Sequence, residues 1–139
     1  MNNNLQFKIQ ATELLEIQLF QPKMEFDLNT IEFKIELEHK LDLKQNLLAV
    51  FCSVSMVSGD NQLGRIVVNC LYFVNKLNAI SSQKQYKKEM KFLTDAVNSI
   101  SISTTRGFLA AITRGTFLHD AILPIVDPRH LDVKTSEGH

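Results

Sequence analysis

The residues best equipped for chemistry gather late in the chain. His119 and Asp120 lie between Arg114 upstream and Asp127, Arg129 and His130 downstream. In an enzyme such a set would make His119 or His130 a general base and give an Asp such as Asp127 the task of orienting the imidazole. The same residues also read as structural, with Arg114 and Asp127 satisfying backbone groups and pinning a loop. The sequence carries no nucleophile elbow and no glycine-rich phosphate loop. No Cys and His residues stand at zinc spacing, so neither a metal nor a cofactor is expected. Farther upstream, His39 falls at an apolar position of an alternating run. It reads as a strand histidine near an edge or hydrogen-bonded in the core, because a metal ligand would need partners that the sequence does not offer. Cys52 and Cys70 read as reduced core thiols on neighbouring strands.

The setting of the late cluster is unusual. Arg114 to Pro128 reads RGTFLHDAILPIVDP. Pro124 and Pro128 cannot donate backbone hydrogen bonds, and each pushes the preceding residue, Leu123 or Asp127, towards extended geometry. An apolar loop that is neither helix nor strand must cover something or be covered.

Composition bounds the rest. The 139 residues suit one domain spanning 1–139, and 45% are apolar, which argues against a disordered chain. Lys and Arg number 15, as do Asp and Glu, so the formal net charge is zero. No basic excess is present to neutralise a phosphate backbone, and no nucleic-acid partner is expected. The opening MNNNLQFKIQ has no positive segment leading into an apolar run, so it is not read as a secretory signal. No apolar stretch of about 18 residues occurs, so no membrane span is expected and a cytoplasmic location is the default. Lys84, Lys87, Lys88 and Lys91 form a basic patch that reads as a solvated helix face or as a surface for an anionic partner.

The elements that position these residues follow from periodicity. Leu5, Phe7, Ile9 and Ala11 alternate with polar residues, as do Leu15, Ile17 and Leu19, with a bulge or bend between the runs. Pro22 ends this strand, and Lys23 to Asn29 forms a crossover carrying Met24, Phe26 and Leu28. Ile31 to Leu43 alternates cleanly, with one face of Glu and Lys. Leu47–Val57 and Gly64–Asn75 are apolar on both sides, which predicts strands covered on both faces. Ser58-Gly59-Asp60-Asn61 reads as the turn between them. Residues 77–85 read as a connection, with or without a short helix. From about Lys84 the period becomes helical through Leu93, Ala96 or Val97, Ile100, Thr104, Gly107 or Phe108, and Ala111. Ser99, Ser103, Gly107 and Ala111 then align as a stripe of small residues that permits close approach of another element. A helix from Lys84 to Arg114 would be about 45 Å long at roughly 1.5 Å per residue, longer than a four-stranded sheet of this size covers. The stripe is therefore expected at an oligomer interface. The predicted fold is α+β: a four-stranded antiparallel sheet over about 5–75, one long helix at about 84–114, an apolar loop at 115–126, and a short helix with a polar tail at 127–139.

This order of elements, and Arg114-Gly115-Thr116-Phe117 followed by an apolar stretch to Leu123-Pro124 and then Asp127, resembles the SecB family of protein-export chaperones. The opening LQFKIQ resembles the family's first strand. The strands match in pattern only. The resemblance implies an ATP-independent, non-enzymatic holdase that binds unfolded polypeptide in a long apolar groove, assembled as a homotetramer that is a dimer of dimers. On that reading the client-binding walls are Met24, Phe26 and Leu28 in the crossover, Phe51, Leu71 and Phe73 on the sheet, and Phe117, Ile122, Leu123 and Ile125 in the loop, each of which also reads as ordinary core. The chain departs from the family in its mixed Glu and Lys strand face, which counts against docking of the SecA motor, and in its short TSEGH ending. A second Arg-Gly pair, Arg106-Gly107, either lengthens the helix or breaks it at Gly107. The alternatives are a dedicated SecB-like chaperone of a single partner, such as an antitoxin, and a small enzyme using the His119 and Asp127 region.

Overall fold

Each alternating run of the sequence finds a partner strand. The computed structural model describes residues 5–22, 25–131 and 133–137. Its strands are β1 (Phe7–Leu19), β2 (Glu32–Asp42), β3 (Leu47–Ser58), β4 (Asn61–Val74) and β5 (Val133–Glu137). Its helices are α1 (Leu77–Ser82) and α2 (Lys87–Ile112). The strands form one mixed sheet in the order β1-β4-β3-β2-β5, and the fold is α+β with a single long helix.

The sheet corrects the expected four antiparallel strands. The segment expected as a short helix and tail is a 3-10 turn at Pro128–His130 followed by β5, which pairs parallel to β2 from Leu37↔Val133 to Leu41↔Glu137. Val133-Lys134-Thr135 has β-branched residues at alternate positions, and an open edge beside β2 satisfies its backbone. The helix also starts later and ends earlier than its period suggested. Lys84–Tyr86 is a 3-10 turn, and the helical run closes at Ile112 without a break at Gly107.

Turn chemistry fixes the register of the central strands. Gly59, at φ 58°, leads the two-residue link between β3 and β4. Asn46, at φ 58°, ends the link from β2 to β3, where the Asp42 carboxylate accepts the Gln45 N–H at 3.2 Å. Because β1 pairs with β4 while β2 pairs with β3, the connection from β1 to β2 must cross the width of the central hairpin.

One sheet face is dry over its central strands. Leu37 and Leu41 of β2, Leu48, Val50, Cys52, Val54 and Met56 of β3, and Ile66, Val68, Cys70, Tyr72 and Val74 of β4 are all buried, in one core with residues of α1, α2 and the loop after α2. The helix presents Leu93, Val97, Asn98, Ser101, Ile102, Thr105 and Leu109 to them. Full burial of one such aliphatic side chain stabilises the fold by about 1.5–3 kcal/mol. The opposite face, with Ala49, Phe51, Val67, Leu71 and Phe73, is only half-buried. The two-sided cover expected for β3 and β4 is therefore one-sided. The helix face is also rotated from the expected one: Ile100 and Gly107 point outwards, and Ser101 and Thr105 point in.

β1 contains two register shifts, between Ile9 and Ala11 and between Leu14 and Glu16. Each inserts a residue and changes which side chains share a face. Ile9, Leu14 and Ile17 oppose Tyr72, Val68 and Ile66 and lie on the helix side, whereas Ala11 opposes Leu71 on the other face. The simple alternation expected from Leu5 to Ala11 thus breaks at Gln10.

Candidate functional site

The loop after α2 is the least regular apolar surface, and it is firmly held. Leu118, Ala121 and Leu123 are buried and anchor it to the core. Arg106, on the helix, reaches across: its Nε donates to the Leu123 carbonyl and its Nη2 to the Pro124 carbonyl, both at 2.9 Å. These carbonyls precede or belong to a residue that cannot enter regular pairing, and a planar guanidinium satisfies both at once. The residue that fixes the loop is therefore Arg106; the expected Arg114 is exposed. Asp127 does act locally. It accepts the Arg129 N–H at 3.0 Å and the Arg129 Nη2 at 2.7 Å, capping the turn at Pro128. Those hydrogen bonds from Arg129 hold its carboxyl well below the ordinary carboxylate range.

Between its anchors the loop turns aliphatic groups outwards. Ile122 is 72% exposed and Ile125 92% exposed, whereas Leu123 is 2% exposed. Leu123, expected as a groove wall, is a core residue. Phe117 is half-buried and meets Phe26 of the crossover edge-to-face, with ring centroids 6.2 Å apart. Leu28 is exposed in the 3-10 turn Leu28–Thr30 of the same crossover. Met24 lies outside the described residues.

Phe51, Leu71 and Phe73 lie elsewhere. They belong to the open face of the sheet, opposite α2. The Lys40 ammonium sits 5.0 Å from the centroid of Phe51, and that of Lys8 sits 5.9 Å from Phe73. A cleft of about 470 Å³ runs over this face between Phe51, Val67, Arg65, Glu36, Glu38 and Lys134. A second, of about 540 Å³, lies at its corner between Leu5, Phe7, Lys8 and Phe73. The sheet itself separates these residues from Phe26 and Phe117, which pack on the helix-side core. The expected walls thus divide into two surfaces.

Ser99, Ser103, Gly107 and Ala111 are all exposed on the outer side of α2, and a Cβ added at Gly107 would meet no atom within 4 Å. Phe92 and Ile100 are exposed on the same helix, and Ile9, Leu14 and Ile17 on the helix side of β1. The alternation of β1 predicts a buried face carrying Ile9 and Ile17, and the structure leaves both exposed. The Leu14-Leu15 doublet, where strict alternation breaks, coincides with the second register shift.

A buried polar seam joins helix to sheet. The His39 Nε2–H donates to Asn98 Oδ1 at 2.5 Å. The Tyr72 hydroxyl lies 2.9 Å from Ser101 Oγ and 3.2 Å from the Val97 carbonyl. Burial lowers the pKa of His39 against the opposing bond from Asn98, and burial raises that of Tyr72. Burial likewise pushes the Cys52 thiol up to about 11, against a hydrogen bond with Thr105. The stretch NSISISTT, poor helix sequence by propensity, supplies the helical half of this seam.

The late ionisable cluster is spread out. The exposed His119 accepts the Gly115 N–H at its Nδ1, 3.2 Å away, while Asp127 is engaged by Arg129 and His130. Among the described residues, no three His, Cys, Asp or Glu side chains gather as a metal set, and no helix is long and apolar enough to cross a membrane. The chain matches no protein-family model and no curated protein.

Proposed function

We propose that this chain is a cytoplasmic, ATP-independent holdase, SecB-like in kind, that holds unfolded polypeptide on its exposed apolar surfaces and acts in protein export or an allied task. The observation that carries this reading is the clamped loop. Arg106 and the buried Leu118 and Leu123 fix its backbone, yet Ile122 and Ile125 are held out in water. Two aliphatic side chains exposed three residues apart on one fixed loop form the start of an apolar patch, the kind of surface that suits an apolar partner. Each side chain of a client buried against such a surface contributes on the order of 1 kcal/mol at about 25 cal/mol per Å², so tight holding uses many contacts along an extended chain.

A homotetramer belongs to the same proposal. The exposed stripe of Ser99, Ser103, Gly107 and Ala111, flanked by Ile100, is the support for an interface along α2. The charge mixture on the open face of β2, where Lys40 lies 3.8 Å from Glu38, leaves SecA outside the proposal.

Suppression of the aggregation of an unrelated unfolded protein tests the reading. The double variant Ile122→Ser, Ile125→Ser removes exposed groups only, so its unfolding midpoint should stay within error of wild type while holdase activity falls several-fold. Unchanged activity in that variant, or no suppression by the wild type, overturns the proposal. Phe117 is unsuited to this test, since its ring packs on Phe26 and its loss would cost stability as well.

A further inference from the structure

We infer that the outer edge of β2 is an acceptor for an extended segment of client polypeptide, and that β5 is a displaceable occupant of that site. This rests on the holdase reading and gives it a backbone-level binding mode.

The edge demonstrably takes an extended chain, because β5 is one. Its hold is slight. β5 is five residues long and pairs in parallel, the weaker of the two ladder types. Val133 is half-buried, while Lys134, Thr135, Ser136 and Glu137 are exposed. The ladder spans Leu37 to Leu41 of an eleven-residue strand. β5 therefore uses less than half of the edge that β2 presents.

A better occupant is readily specified. Phe33 and Ile35 of β2 are half-buried on the helix side, in line with the buried Leu37 and Leu41. A strand running the length of β2 with apolar residues at alternate positions would lay them beside this row. Its intervening residues would face Glu32, Lys34, Glu36, Glu38 and Lys40, where Lys134 already stands opposite Glu38 in β5. Main-chain pairing carries no sequence demand, which suits a protein that holds unfolded segments of varied sequence. Self-occupancy by β5 would keep the edge from pairing with other sheets when no client is present.

The test uses the full chain and a fluorescent, reduced and carboxymethylated α-lactalbumin as a permanently unfolded probe, with binding followed by anisotropy. Glu38→Cys with Lys134→Cys places thiols on partnered positions and locks β5 when oxidised. Val133→Asp with Thr135→Pro loosens it. The oxidised lock should bind the probe at least about tenfold more weakly than its reduced form, and the loosened variant about tenfold more tightly than wild type, because a competing internal occupant lowers apparent affinity by the fraction of free edge. Bound probe should protect the amides of Glu32–Glu36 from hydrogen exchange. Equal affinity across the lock, its reduced form and the loosened variant overturns the inference and leaves the holdase reading standing. Failure of every form to bind overturns both. A loosened variant that dimerises without gaining affinity assigns the edge to a second copy and also overturns the inference. Should the loosened variant not fold, the oxidised and reduced lock decide alone.

Discussion

Replacing Asn98 by Ala should destabilise the protein by about 2 kcal/mol, and the loss should depend on His39. The His39 ring is 2% exposed and its Nε2–H donates to Asn98 Oδ1. Removing the acceptor forfeits a net hydrogen bond of about 1 kcal/mol and strands a buried donor, for which the cost is about 1–3 kcal/mol. At about 2.1 cal/mol/K per residue, 2 kcal/mol in a chain of 139 residues lowers the melting temperature by roughly 7 °C. Replacing both partners, as in His39→Leu with Asn98→Leu, removes donor and acceptor together and should cost less than Asn98→Ala alone. Burial lowers the folded-state pKa of His39 below its ordinary value of 6.5. As pH falls below 6.5 the unfolded chain takes up a proton that the native state refuses, so stability falls with falling pH by up to about 1.4 kcal/mol per unit until the folded pKa is passed. Urea unfolding at pH 8.0 and pH 5.5 should show this slope in wild type and a reduced slope in the double variant, with carboxylate contributions cancelling in the comparison. A cost under about 0.5 kcal/mol for Asn98→Ala, together with identical pH slopes, would refute the buried pair.

Further outcomes follow from other sites. Cys52 and Cys70 are buried, and the Cys52 thiol is pushed up to about 11, so thiol reagents at pH 8 should label them at the rate of unfolding; rapid labelling of native protein would contradict the packing of α2 on the sheet. Gly107→Ala should raise stability by up to about 1 kcal/mol, since the new Cβ meets nothing and the helix gains propensity. Gly107→Leu should dissociate a helix-mediated oligomer in light scattering, and a wild-type monomer at micromolar concentration would remove the interface from the proposal. Gly64→Ala should cost about 1–3 kcal/mol in denaturant melts, because its Cβ would stand 2.9 Å from the Gln18 carbonyl oxygen and from Met56 Cε.

Elements whose neighbours are close in the chain were legible in the amino-acid pattern. The alternation of Ile31 to Leu43, the Gly59 turn between two apolar runs, and the helical period through Leu93 and Val97 each report a local rule, and each became the expected strand, hairpin or helix. The pattern also marked the loop around Pro124 as irregular, since proline acts on its own residue and the one before. Tertiary structure decided the rest. Which face of α2 turns inwards is tied to the hydrogen bond that His39 donates to Asn98 and to the one between Tyr72 and Ser101, residues far apart in sequence, so polar residues entered the core and Ile100 left it. The two bulges of β1 are set by its register against β4 and redistribute an otherwise simple alternation. Arg106 replaced Arg114 as the clamp on the loop because only folding brings its guanidinium to the Leu123 and Pro124 carbonyls. The division of the expected client-binding residues between two surfaces arose because the sheet separates side chains of equal hydrophobicity. β5 became a strand because a vacant edge of β2 lay beside it, and five mostly polar residues carry too weak a local preference to announce that partner.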